Sequence, residues 1–352
     1  MKATLTPLSL AVLLAAGSAY ANDEATIFQQ GSNNDSVIAQ TATVDAQATS
    51  NQYYFSNDSD IQQTSAQSGT VATVTQYGKN TSIISQTGTS NSTVSVIQDF
   101  NNKSTVRQQG STNSTTIEQG DGPGRASQNN TSWVRQAGQD NTLNVTQGNS
   151  FNRAGVIQVG LGGTATIDQA DANSSRAALF QAGTENTAVL RQSGGSTGSN
   201  VFAVQGGQSN VLHTKQNQSD NSRITVAQGF GVNNQAQLIQ YQTDGSIATA
   251  AQFGSNNYIN VHQRAGDNNS LFSAQYGNDN NIYASSRAGE GGYSHDGSID
   301  FGTPYGGQSG SNNYAEILQV QSSNTVYLAQ SGNDSAYSTQ NGTNNTARFI
   351  QQ

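Results

Sequence analysis

Cysteine is absent from the 352 residues, which excludes disulfide scaffolds, thiolate metal sites and cysteine nucleophiles together. Charge is scarce too. Asp, Glu, Lys and Arg make up 10%, against roughly 25% in an average soluble domain. So few charges argue against the highly charged type of disorder, while 33% hydrophobic residues leave little for a broad Leu/Ile/Phe core. Basic residues are outnumbered, and the net charge of −8 disfavours nucleic acid as a partner, because like charges would meet. No apolar run reaches the roughly 20 residues of a membrane span, so no transmembrane anchoring is expected. A conventional enzyme is a poor fit to this composition.

Residues 1–21 read as a secretory signal peptide. Lys2 supplies the positive start, Leu8 to Ala16 a short apolar stretch, and Ala19-Tyr20-Ala21 a small-x-small cleavage site. Asn22 is then the expected first residue of a mature repeat domain, 22–352. Cysteine-free composition is compatible with an oxidising exterior, where stability must come from something other than disulfides.

Glutamine and glycine are abundant, and they recur. Gln136, Gln158, Gln181, Gln205, Gln228, Gln252 and Gln275 are spaced by 22, 23, 24, 23, 24 and 23 residues. Between them falls a second series, Gln147, Gln169, Gln192, Gln216, Gln240 and Gln263. The half-repeat is Gln-x-Gly-x-x-Asn, five residues, then Gln. It is obeyed in full by Gln29-Gly31-Asn34-Gln40, Gln108-Gly110-Asn113-Gln119, Gln136-Gly138-Asn141-Gln147 and Gln181-Gly183-Asn186-Gln192. The same holds for Gln205-Gly207-Asn210-Gln216, Gln252-Gly254-Asn257-Gln263, Gln308-Gly310-Asn313-Gln319 and Gln340-Gly342-Asn345-Gln351. Near misses carry Gly163 for Asn after Gln158, Gln321 for Gly after Gln319, and Ser286 for the closing Gln after Gln275. A fixed period of this kind is the signature of a repeat architecture.

Gly-x-x-Asn supplies residues that tolerate positive φ, so a tight turn is expected there. The residues that follow alternate with period 2, the mark of a short strand. In Asn257-Tyr258-Ile259-Asn260-Val261-His262-Gln263 one face holds Asn257, Ile259, Val261 and Gln263, and the other Tyr258, Asn260 and His262. The first face is regular between repeats and belongs inside. The fold class that follows is all-β: a flattened two-sided β-solenoid of ~23-residue strand–turn–strand repeats, stacked as in cross-β at ~4.8 Å. Like residues then lie over like, forming Gln and Asn ladders in which each buried amide meets another amide. Narrow aliphatic stripes suffice as a core because each repeat packs on its neighbours. The length from Gln29 to Gln351 corresponds to about 14 circuits stacked in this way. Two stretches break the rhythm: an irregular one at 41–66 and a Gly-rich loop insertion at 288–307. A smaller turn insertion is expected at Gly120 to Arg125.

The half-repeats resemble curlin, the amyloid subunit of curli fibres, whose repeat has the same Gln-x-Gly-x-x-Asn and closing Gln. The Gln-aromatic-Gly variant of that family stands at Gln76-Tyr77-Gly78, Gln252-Phe253-Gly254 and Gln275-Tyr276-Gly277. The resemblance implies export through outer-membrane secretion machinery and templated self-assembly, with a nucleator, into extracellular fibres of a biofilm matrix at the bacterial cell surface. It departs from familiar curlins in having many more repeats and a very short stretch between Asn22 and the first β-prone residues, Ala25 to Phe28.

Nothing in the sequence points to catalysis or to a cofactor. His213, His262 and His295 are scattered and lack zinc spacing. Asp267-Asn268-Asn269 and Asp279-Asn280-Asn281 lack the closing Glu of a calcium loop and read as turns. Gly160-Leu161-Gly162-Gly163 is a repeat turn, not a phosphate loop. The competing expectation is a soluble secreted solenoid adhesin or surface-binding module. It calls for a regular exposed face, yet Thr-x-Thr at Thr41, Thr73 and Thr164 does not recur each turn.

Overall fold

A computed structural model describes residues 11–14, 22–120, 128–284, 292–293, 299–300, 308–309, 311–331 and 333–351. No helix occurs among them. The chain divides into two compact units, Met1–Gly163 and Thr164–Gln352, and each is a two-sided β-solenoid.

In the first unit, strands alternate between two parallel sheets. One sheet stacks Glu24–Ser32, Gln47–Phe55, Val71–Tyr77, Thr93–Gln98, Ser114–Gln119 and Thr142–Gln147. The other stacks Asp35–Thr41, Asp58–Thr64, Thr81–Ser90, Lys103–Ser111, Thr131–Gln139 and Arg153–Leu161, with the short strand Ala11–Leu14 on its outer edge. In the second unit, Thr164–Gln169, Thr187–Ser193, Val211–Asn217, Gln235–Tyr241 and Tyr258–Arg264 lead to Asn281–Ala284, Thr325–Ser331 and Thr346–Gln351. Opposite them run Arg176–Thr184, Asn200–Gln208, Arg223–Val232, Ile247–Phe253, Ser270–Tyr276, Tyr314–Val320 and Ser335–Asn341.

Register explains why so few apolar residues are enough. Ile38, Ile61, Ile84, Val106, Val134 and Val156 lie one above another, and none exceeds 1% exposure. Facing them is the column Ser50, Val74, Val96, Ile117 and Val145. Each strand therefore contributes only one or two aliphatics to a stripe that is continuous within its unit. The expected parity holds in the example strand: Asn257, Ile259, Val261 and Gln263 are all buried.

Three expectations are corrected. Residues 41–66 are regular. Gln47–Phe55 and Asp58–Thr64 pair in register on both sides. The motif is hidden because Ala42, Tyr54 and Ser65 take the glycine positions, Tyr54 at φ 67°. The Tyr54 ring stacks on Phe100 at 5.9 Å, which offsets part of the backbone cost. The number of circuits is six in the first unit and seven plus a closing half in the second, fewer than the length implied. The reason is that Asn281–Ala284 and Gln308–Ser309 occupy one rung together, both paired with Tyr258–Arg264. The residues between them add length without adding a rung. Finally, Asn260 and His262, assigned to the variable face, are buried at 5% and 9% exposure.

Apart from Ala11–Leu14, the 1–21 segment lies outside the described residues, as do 121–127, Gly310 and His295. Of the 288–307 insertion only the antiparallel pair Gly292–Tyr293 and Ile299–Asp300 is described.

Candidate assembly site

The corners come first, because they place the ladders. Each full motif whose glycine is described turns through two left-handed positions. One is the glycine: Gly31, Gly110, Gly138, Gly183, Gly207, Gly254 and Gly342 have φ between 100° and 124°. A Cβ there is blocked as well as strained, since at Gly138 it would lie 2.0 Å from the carbonyl oxygen of Gly160 in the next rung. The other is the residue just before the motif Asn, such as Asn33 at 55°, Glu185 at 53° and Asn344 at 58°. The motif Asn itself is not left-handed, contrary to expectation. It is kept for its side chain.

That side chain forms a ladder. The backbone N–H groups of Asn210, Asn234, Asn257, Asn280, Asn324 and Asn345 each donate to the side-chain oxygen of the preceding rung's Asn, beginning at Asn186, at 2.9–3.1 Å. In the first unit Asn141 donates to Asn113 at 3.1 Å, and the Gly163 N–H to Asn141 at 3.0 Å. Gly163 thus stays in the ladder as a donor although it cannot extend it. At the other corner of this unit Asn34 is joined by Asn57, Asn80, Asn102, Asn130 and Asn152.

The glutamines form the second kind of ladder, and it has a direction. In every pair the Nε2 of one Gln donates to the Oε1 of the Gln in the following rung. The first unit runs Gln40, Gln63, Gln86, Gln108, Gln136, Gln158 in one sheet. In the other it runs Gln29, Gln52, Gln76, Gln98, Gln119, Gln147. The second unit runs Gln181, Gln205, Gln228, Gln252, Gln275, Gln319, Gln340. Opposite stand Gln169, Gln192, Gln216, Gln240, Gln263, Gln308, Gln330, Gln351. Many of these amides also donate to a carbonyl at the start of a strand in the facing sheet, as Gln52 does to Asp35 at 2.7 Å and Gln205 to Thr187 at 3.0 Å. The glutamine therefore ties rung to rung and sheet to sheet, which is why a buried amide is tolerated here.

Several ladder members escaped the motif. Gln52, Gln63, Gln76, Gln86 and Gln98 lack the full grammar around them. Gln308 also acts as the closing Gln missing at Ser286, between Gln263 at 2.8 Å and Gln330 at 3.0 Å. A serine corner was not foreseen at all. Ser199, Ser222, Ser246 and Asn269 donate their N–H groups to the hydroxyls of Ser175, Ser199, Ser222 and Ser246. Its sequence signal is a serine just before each strand, which a Ser-rich chain conceals.

The ladders end at open rungs. Glu24–Ser32, Ser335–Asn341 and Thr346–Gln351 pair on one side only among the described residues. The inward residues of the first and last of these, Ala25, Ile27, Gln29, Ala347, Phe349 and Gln351, are only half-buried. At the first rung the Oε1 of Gln40, 97% buried by residue, accepts no hydrogen bond. Outward groups are unremarkable by comparison. Burial, then Arg191 and Lys215, lower the pKa of His213, and no group of three or more His, Asp or Glu residues able to hold a metal occurs among the described residues. No family model matches the chain, and no curated protein matches it.

Proposed function

We propose that the chain is the secreted structural subunit of a curli-like extracellular fibre, polymerising head to tail by adding one copy's first rungs to another's last. The observation that carries this reading is the polarity of the glutamine ladders. Within each unit the ladder pairs all donate forward, so the last rungs, Gln340 and Gln351, present donors. The first rungs, Gln29 and Gln40, present acceptors, and that of Gln40 is unfilled. A second copy of this chain carries the matching donor on a matching strand. Open strand edges are templates for another chain. Export of the chain, its attachment to the cell surface and the help of a nucleator and outer-membrane secretion machinery belong to the same reading through the curlin resemblance.

The test is fibre diffraction on purified residues 22–352. Filaments with a meridional spacing near 4.8 Å are expected. A chain that stays monomeric through prolonged incubation at high concentration would instead favour a soluble solenoid adhesin.

A further inference from the structure

The outward face of the first unit carries an arrangement that assembly does not use. Arg107 and Arg135 lie side by side in register on adjacent parallel strands, both exposed. Like charges directly opposite each other are destabilising, and some other cations of the chain have a relieving partner. Arg191 meets Asp168 at 3.1 Å, Arg264 sits over the Tyr241 ring at 5.2 Å, and Lys79 sits over Phe55 at 5.7 Å. Arg107 and Arg135 have no acidic or aromatic partner among the described residues. They line a groove of about 350 Å³ together with Ser85, Thr87, Gln109 and Ala137. Its shape is set by register. Ser85, Arg107 and Arg135 form one row, and Thr87, Gln109 and Ala137 the next. A bulge at Gly88, between Thr87 and Thr89, displaces the edge of the second row. Two residues before Arg135 on the same face stands Trp133, 39% exposed. Beside it in register is Gly155, where a side chain would meet nothing within 4 Å.

We infer that this groove binds a carboxylate-bearing polysaccharide. A guanidinium pair presents forked donors to carboxylates. Ser85, Thr87 and Gln109 supply neutral hydroxyl and amide partners for sugar hydroxyls, and the exposed indole with the notch at Gly155 offers an apolar platform for a sugar ring. The volume is at the small end of ligand pockets, suited to one or two sugar rings. The cation count also discriminates. Duplex nucleic acid carries about one charge per 1.7 Å, so two adjacent cations in a chain of net charge −8 match it poorly, while a polyuronate has one charge per ring.

The experiment sediments assembled full-length mature chain with a fluorescent oligogalacturonate. Parallel arms use a neutral oligosaccharide of equal length and single-stranded DNA at the same ionic strength. Oligogalacturonate is expected to bind at least tenfold more tightly than either. Arg107→Gln and Arg135→Gln should each weaken it about tenfold, Trp133→Ala should weaken it as well, and Arg191→Gln should leave it unchanged. Should the Gln variants fail to assemble, Arg107→Lys and Arg135→Lys keep the charge but lose the fork, and a several-fold loss is expected from them. Tighter binding of DNA, equal binding of the neutral sugar, or affinity insensitive to these arginine substitutions would overturn the assignment.

Discussion

At the scale of single residues, stacking in register repeats favourable and unfavourable contacts alike. Asp58 lies directly over Asp35. Its pKa is raised, first by burial and then by Asp35 and Asp60. A carboxyl whose folded pKa lies above its unfolded value weakens the fold while charged. That loss is recovered as pH falls through the raised folded pKa to the unfolded value near 3.8. Asp58→Asn should therefore raise stability at pH 7, by about 0.5 kcal/mol given how exposed the group is. The gain should shrink to nothing near pH 3.5. Denaturant midpoints of both proteins at the two pH values check this, and an equal gap at both would refute the electrostatic account. Residue types read from the sequence were right about identity and partly wrong about role. Asn was expected in the left-handed position because it tolerates positive φ, but its side-chain oxygen is what the corner uses, and the residue before it, which varies freely in type, takes the strain.

At the scale of strands and corners, the legible part was whatever repeats by side-chain type. The inward parity, the paired glutamines and the motif glycines followed directly from spacing. Other features were hidden because backbone register is blind to the residue that happens to occupy a corner. Residues 41–66 looked irregular because Ala42, Tyr54 and Ser65 stand at positive φ where the motif has glycine. The serine corner and the dual use of Gln308 depend on which strands neighbour each other, something one repeat does not record. This view sets an order among substitutions. Gln205 donates to Gln228 at 2.8 Å, Thr187 at 3.0 Å and Asn210 at 3.3 Å, and accepts from Gln181 at 2.9 Å. Gln205→Ala leaves buried donors and acceptors open on both sides, a loss of roughly 1–3 kcal/mol for each. Arg191→Ala removes an exposed ion pair worth at most about 1 kcal/mol. Urea midpoints of the two variants should differ by at least that margin. Equal midpoints would mean that the ladders contribute no more than surface charge does.

At the scale of the whole molecule, alternation between sheets fixes how one copy would follow another. After Ser335–Asn341 and Thr346–Gln351, the next strand in the alternation belongs over Ser335–Asn341. The first strand of an incoming copy, Glu24–Ser32, therefore goes there, and Asp35–Thr41 goes over Thr346–Gln351. Gln29 then meets Gln340, Asn34 meets Asn345 and Gln40 meets Gln351. The corners also match, with φ 124° at Gly31 and 121° at Gly342, and 55° at Asn33 and 58° at Asn344. Placing Glu24–Ser32 over Thr346–Gln351 instead leaves one strand missing from the facing sheet and stacks no corner on a corner. In the first arrangement Thr26 lies beside Tyr337, and in the second beside Arg348. All three side chains point outward, and the chain has no cysteine of its own. Neighbouring parallel strands bring such positions within disulfide reach of about 5–6 Å. Thr26→Cys combined with Tyr337→Cys should thus give oxidised fibres that run as covalent multimers. Thr26→Cys with Arg348→Cys should not. Residues 1–21 enter the same argument. Ala11–Leu14 pairs with Asp35–Thr41, Leu14 against Gln40, on the rung that Gln351 of another copy would take. A chain keeping residues 1–21 should elongate seeds at least tenfold more slowly than 22–352. Equal rates, or cross-linking only through Arg348→Cys, would show that subunits meet in another register.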